Sequence, residues 1–162
     1  GDVLRVGSHL DGIAERPIRI RARARVDGDD AVLLSLHAIS AGVALYVKDR
    51  RLCFALRDVS RSIRWDAFSP QRHILRAETL LPPKPADLEA ELAADGTVTL
   101  RVDHETVAAT TFPGPLSHPP LFMVTAGHWA SFADDGAFMA PGDFAPADSF
   151  DGALESVSVE FR

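Results

Sequence analysis

The chain has 162 residues, a formal net charge of −6 and an isoelectric point near 5.4; residues 1–162 read as one domain, long enough to bury a core without a covalent staple. An excess of Asp and Glu, 23 against 17 Lys and Arg, excludes a general nucleic-acid binder. The one cysteine, Cys53, excludes an intrachain disulfide and a Cys-rich metal site, and no apolar run approaches the roughly 20 residues that cross a bilayer as a helix.

No signal-peptide pattern opens the chain, where Asp2, Arg5, His9 and Asp11 interrupt the apolar residues. Gly1 in place of an initiator Met leads us to expect an excised or recombinant fragment, so the compartment stays open, with periplasmic and extracellular locations both allowed. Val3 to Leu10 has strand character and ends at the turn Asp11-Gly12. Residues 18 to 26 then alternate without a break, Ile18, Ile20, Ala22, Ala24 and Val26 against Arg19, Arg21, Arg23 and Arg25. A period of two belongs to a pleated strand with one wet face, and no helix gathers those five apolar residues on one side. Alternating Arg of this kind marks solvent exposure or pairing with acidic neighbours rather than a phosphate or sulfated-glycan site.

The turn Asp27-Gly28-Asp29-Asp30 leads to Ala31 to Leu36, expected as the antiparallel neighbour of the Arg strand. Gly42 to Lys48 and Leu52 to Leu56, joined by Asp49-Arg50-Arg51, read as a hairpin. Ser62 to Phe68 alternates, Ser69-Pro70-Gln71 turns, and His73 to Ala77 resumes. Pro82, Pro83 and Pro85 forbid a regular ladder in the next connection. Ala86 to Ala93 favours helix by composition, but Leu88, Ala90 and Leu92 against Asp87, Glu89 and Glu91 have the strand period, and the period decides. Asp95-Gly96 predicts a type I′ hairpin into Thr97 to Val102, and Asp103-His104-Glu105 turns into Thr106 to Thr110. Leu154 to Phe161 alternates as a last strand, after a long irregular stretch from Gly127 to Ser149 rich in Asp, Gly, Pro and Phe. The sum is an all-β antiparallel two-sheet sandwich of the jelly-roll kind.

Three segments carry a resemblance. Gly42-Val43-Ala44-Leu45-Tyr46-Val47-Lys48-Asp49-Arg50-Arg51-Leu52, Asp95-Gly96-Thr97-Val98-Thr99-Leu100-Arg101-Val102-Asp103 and Phe150-Asp151-Gly152-Ala153-Leu154-Glu155-Ser156-Val157-Ser158-Val159 together resemble the C-terminal β-sandwich module of bacterial arylsulfatase-type sulfatases, concanavalin A-like or laminin G-like in fold. The resemblance implies a non-catalytic accessory module that packs on a catalytic domain of the same polypeptide and shapes substrate access through the 127 to 149 stretch. His104 departs from it, standing where that family has a turn glycine, and so do Arg57 to Phe68 and Ala126 to Phe132.

The sulfatase signature Cys/Ser-x-Pro-x-Arg is missing, since Cys53 precedes Phe54-Ala55-Leu56-Arg57, and Cys53 reads as a buried small hydrophobe. The six histidines, His9, His37, His73, His104, His118 and His128, have no metal-pair spacing, and there is no nucleophile elbow, Walker loop or dinucleotide fingerprint. Glu89 and Glu91 share a strand face, yet a solvated one, which argues against a paired-carboxylate glycosidase. Among the acidic residues of the late stretch, Asp134 and Asp135 with Asp143 or Asp148 form the candidate set for a weak calcium ion, the one cofactor considered. Trp65, Trp129 and Phe132 are the candidate stacking platforms for a sugar, the basis of an alternative reading as an independent lectin-like module.

Overall fold

The computed structural model describes residues 3–4, 15–37, 41–58, 71–117, 123–126, 141–144 and 150–162. They form two antiparallel sheets. The six-stranded sheet runs in the order β1 (Val3–Leu4), β10 (Met123–Ala126), β3 (Ala31–His37), β4 (Ala41–Lys48), β5 (Arg51–Asp58), β6 (Gln71–Leu80). The five-stranded sheet runs β11 (Gly152–Phe161), β2 (Ile18–Val26), β7 (Ala86–Leu92), β8 (Thr97–Val102), β9 (Glu105–Thr111). No helix long and apolar enough to cross a membrane occurs among the described residues.

One core lies between the sheets. Ile18, Ile20, Leu88, Leu92, Val98 and Leu100 from one sheet meet Leu36, Val43, Leu45, Leu52, Phe54 and Leu56 from the other, all of them buried. β2, β7 and β8 deliver every second residue to this core, as their alternation demands. For β7 the strand period overrode the helical composition, because Leu88, Ala90 and Leu92 reach one core only with the backbone extended. β4 and β5 differ: from Ala41 to Val47 and from Leu52 to Arg57 every residue is buried, so both faces of these central strands are covered.

Two local expectations are corrected. β2 does not pair with β3; it lies between β11 and β7, while β3 lies between β10 and β4. The Asp27 to Asp30 turn crosses from one sheet to the other, held by Asp27 N–H donating to the Asp151 carbonyl (2.9 Å) and Arg50 N–H to the Asp29 carbonyl (2.8 Å). The β7–β8 hairpin is not type I′. Gly96 has φ +85° but Asp95 is not at positive φ, and Gly96 N–H donates to the Ala93 carbonyl at 3.0 Å, the pattern of a type I turn closed by a left-handed glycine. Among the described residues, the two-residue turns with both central residues left-handed are Asp49-Arg50 (φ 49° and 59°) and Asp103-His104 (φ 49° and 70°). In the first, Leu81 N–H donates to the Arg50 carbonyl at 2.8 Å, a tertiary contact that holds a residue type seldom found there. β10 has no counterpart in the expected strands, and Ser62 to Phe68 lies outside the described residues.

Edge strands β6, β9 and β11 each pair with their neighbour through a register break, opposite Arg51/Cys53, at Leu100/Arg101 and at Leu154/Ser156. Bulges of this kind twist an edge and make it a poor template for another chain.

Candidate ligand cleft and the two outer faces

At one end of the sandwich the strands stop short of each other and leave a cleft of about 610 Å³. Leu56 and Asp58 come from the end of β5, Gln71 and His73 from the start of β6, Ala94 and Asp95 from the β7–β8 turn, and Pro113 to Pro115 with Ser117 from the segment after β9; Glu15 closes the wall. Gly96 sets this geometry. A Cβ there would lie 2.2 Å from the Phe112 carbonyl oxygen, so only glycine allows Phe112 N–H to donate to the Gly96 carbonyl at 2.8 Å and bring the 113–117 segment against the turn. Ser117 then donates its N–H (2.9 Å) and hydroxyl (2.6 Å) to Asp58 Oδ2, and Glu15 N–H donates to the Leu116 carbonyl at 2.7 Å.

The cleft is acidic. Glu15, Asp58 and Asp95 contribute carboxylates, and no Lys or Arg is among the described residues that line it. Asp95 is held below the ordinary carboxylate pKa by the Thr97 N–H that it accepts at 2.9 Å. Gln71 supplies both a donor and an acceptor; His73 packs its ring 5.4 Å from that of Phe112, and Leu56, Pro113 and Pro115 give the wall an apolar part. Such a lining hydrogen-bonds hydroxyl groups and repels anions.

The outer face of the five-stranded sheet is an ion-pair ladder. Arg19 donates to Glu91 (2.8 Å), Arg21 to Glu89 (2.8 Å) and Glu160 (3.1 Å), and Arg23 to Asp87 (2.9 Å) and Glu155 (3.0 Å). Arg101 reaches both Glu89 (2.5 Å) and Glu91 (3.0 Å). Burial works against the charged forms of Glu89 and Glu91, and hydrogen bonds from Arg21 and Arg101 to the first, and from Arg19 and Arg101 to the second, overcome it and leave both pKa values below the ordinary glutamate value.

The outer face of the six-stranded sheet is apolar at its centre, where Val32, Ala44, Tyr46, Cys53 and Ala55 form a second small core with Phe144. The segment 141–144 lies on it as a strap. Tyr46 donates its hydroxyl to Asp143 Oδ1 at 2.6 Å, Arg76 donates to Asp143 Oδ2 at 2.9 Å, and Lys48 donates to the Asp143 carbonyl. Phe144 meets Tyr46 edge to face with centroids 4.9 Å apart. Burial, and then the bond to Asp143, push the Tyr46 phenol far above its usual pKa; burial raises the Cys53 thiol to about 11. Arg57 is fully buried on the same strand, and burial, then Arg72, draw its pKa below the ordinary guanidinium value.

Of the residues singled out in the sequence, Asp143 is described: its carboxylate faces two cations and a phenol of its own chain. Trp65, Trp129, Phe132, Asp134, Asp135 and Asp148 lie outside the described residues. Among the described residues no three His, Cys, Asp or Glu side chains gather as a metal site. Cys53 is a buried free thiol, as its flanking Leu52 and Phe54 imply. The cleft residues Asp58, Gln71, His73 and Ser117 were missed, because they come from three separate stretches with no local spacing to mark them; the one local signal is the Pro-Gly-Pro at 113–115.

Neither a protein-family model nor a curated protein sequence matches the chain. Among solved structures it is similar to domains LG4-5 of the mouse laminin alpha1 chain, with a TM-score of 0.64 and 14% identity over 89% of this chain and 35% of that one. It is similar also to the LG1-3 region of the laminin alpha2 chain, with a TM-score of 0.63 and 13% identity over 98% and 30%. The Ruminococcus gnavus IT-sialidase CBM40, in a structure with alpha2,3 sialyllactose bound, gives a TM-score of 0.60 and 13% identity over 98% and 89%. The chain thus spans about a third of the laminin chains and nearly all of the CBM40 module. At these identities the likeness is one of fold: a laminin G-like, concanavalin A-like sandwich.

Proposed function

We propose that the chain is a non-catalytic carbohydrate-binding module whose end cleft takes a sugar without acidic groups. The observation that carries the reading is the cleft itself, a few hundred Å³ in size, where acceptor carboxylates, an amide and an imidazole converge on an apolar wall. Neighbouring hydroxyls of a pyranose suit Asp95 as acceptor and Gln71 as donor, and the sugar's C–H face suits Leu56, Pro113 and Pro115. The near end-to-end likeness to a module that binds sialyllactose supports a binding role, while the three carboxylates here favour neutral sugars over sialylated ones. In the same reading Trp65, Trp129 and Phe132 supply further stacking faces, and Asp134, Asp135 and Asp148 are the candidates for calcium.

A glycan array probed with and without calcium tests this. Neutral glycans should be retained and sialylated ones not, with retention lost in Gln71→Ala and His73→Ala chains that keep wild-type thermal stability. No retention of any neutral glycan, or retention that ignores both substitutions, would overturn the reading.

The accessory role beside a sulfatase catalytic domain is a second reading, favoured by one observation: the three resembling segments fall on the β4–β5 hairpin, on the β7–β8 turn with β8, and on β11. An accessory module leaves a bare apolar patch for its partner. The exposed large hydrophobic residues described are Ile74 and Leu80, six positions apart on β6. Binding of an isolated sulfatase catalytic domain, reduced by Ile74→Ser and Leu80→Ser together, would support this role; no binding would remove it.

A further inference from the structure

The strap does more than cover apolar surface. Three polar contacts between 141–144 and the sheet end on one residue, Asp143. Two cations and a phenol therefore converge on a single carboxylate, with an aromatic ring beside it: Arg76 and Tyr46 at hydrogen-bond distance, Lys48 Nζ at 3.8 Å, and the Tyr46 ring facing Phe144. Positive donors around a carboxylate, next to a ring that packs a flat apolar group, are the parts of an anion subsite with a platform. The strap enters it closely. A Cβ on Gly142 would lie 2.7 Å from the Phe144 ring and 2.9 Å from the Tyr46 ring. The ion pairs that hold it are wet, with the Asp143, Arg76 and Lys48 side chains 37%, 36% and 29% exposed, and wet pairs are individually weak and open to exchange.

We propose that the surface beneath the strap is a binding site for a carboxylated sugar, a hexuronate, and that Asp143 occupies it as the chain's own tethered competitor. Arg76 and Lys48 hold the incoming carboxylate where they now hold that of Asp143, the Tyr46 hydroxyl donates to it, and the Tyr46 ring takes the sugar face in place of Phe144. The site is on a different surface from the end cleft and has the opposite charge preference. Its sugar class rests on the glycan-binding reading above; its carboxylate preference does not.

The tether fixes the expected behaviour. A competitor that leaves the site about 1–10% of the time reduces a ligand's apparent affinity by that fraction, so removing it tightens binding roughly ten- to a hundred-fold. Cys53, the chain's one cysteine, lies fully buried on this floor and reports whether the strap has lifted.

Calorimetry with D-glucuronate on wild type, Asp143→Asn and the double variant Asp143→Asn with Arg76→Ala is the test, run with thiol labelling of Cys53 by a small disulfide reagent. Asp143→Asn should bind glucuronate about tenfold or more tighter than wild type. The second substitution should abolish the gain, D-glucose should bind none of the three, and Cys53 should label faster in Asp143→Asn and slow again when glucuronate is added. Phe144→Ala, which loosens the strap without touching a donor, should move in the same direction and serves if Asp143→Asn does not fold. Faster labelling with unchanged glucuronate affinity would sink the proposal, as would labelling and affinity both at wild-type values. Tighter binding of an acetyl-Asp-Phe amide than of glucuronate by Asp143→Asn would overturn the sugar assignment. A blank neutral-glycan array removes the end-cleft reading and leaves the carboxylate preference of this site to the calorimetry, so the two readings fail separately.

Discussion

The outer faces of the two sheets are both made from pleated antiparallel strands, yet one meets water and the other is covered at its centre. On the five-stranded sheet the outward positions of β2 are all Arg, and β7 places Glu91, Glu89 and Asp87 opposite Arg19, Arg21 and Arg23, so most of the face satisfies itself across the ladder. On the six-stranded sheet the outward positions of β4 and β5 include Ala44, Tyr46, Cys53 and Ala55, which must be covered by something distant in sequence, and residues 141–144 do it. A charged ladder contributes little stability per pair but fixes register, because a slip of one residue would turn every Arg into the core. An apolar outer face contributes burial, and it ties the fold to one particular loop.

The largest effect should ignore this difference. Leu45→Ala on the six-stranded sheet and Leu88→Ala on the five-stranded sheet point into the same core and should each cost about 2–5 kcal/mol in urea denaturation; a value well under 1 for either would mean that the two sheets do not share one interior. Next in size, Gly142→Ala forces a methyl against the Phe144 and Tyr46 rings and should cost about 1–3 kcal/mol, read as a lower thermal midpoint.

The ladder itself should show in pH. The folded-state pKa values of Glu89 and Glu91 lie below the ordinary glutamate value, so their stabilisation is complete above the unfolded value and is lost as pH falls through the folded one. Glu89→Gln should lower stability at neutral pH by about 1–2 kcal/mol and flatten the acid limb of the urea profile; an unchanged acid limb would assign acid sensitivity elsewhere. Smallest of all, Arg25→Ala should leave the urea midpoint unchanged, since Arg25 hydrogen-bonds Asp27, two residues on at the end of its own strand, at an exposed site.

Much of the five-stranded sheet was legible because alternation is a local property: β2, β7, β8 and β11 each show it within ten residues. β10 carries no such alternation, and β4 and β5, buried on both faces, show apolar runs that tell a reader a strand is central without telling what covers it. The type of the β7–β8 turn was misread because Asp-Gly suits two hairpin geometries, and the difference lies in the φ of Asp95, which hydrogen bonding of Ala93 to Gly96 and Thr97 decides. Asp143 was singled out for its charge, which the sequence shows; that Arg76 and Lys48 meet it is a fact of topology.

Residue order alone determined an extended, alternating backbone, a sandwich of antiparallel strands and an Arg face that seeks acidic partners, because each follows from side-chain period and turn chemistry within a few residues. Tertiary structure alone decided which strands are neighbours, that the end cleft gathers Asp58, Gln71, His73 and Asp95, and that one carboxylate pins a strap over Tyr46 and Cys53. Those contacts join residues tens of positions apart, and their geometry is set by the packing of two sheets on one core rather than by any local preference of the chain.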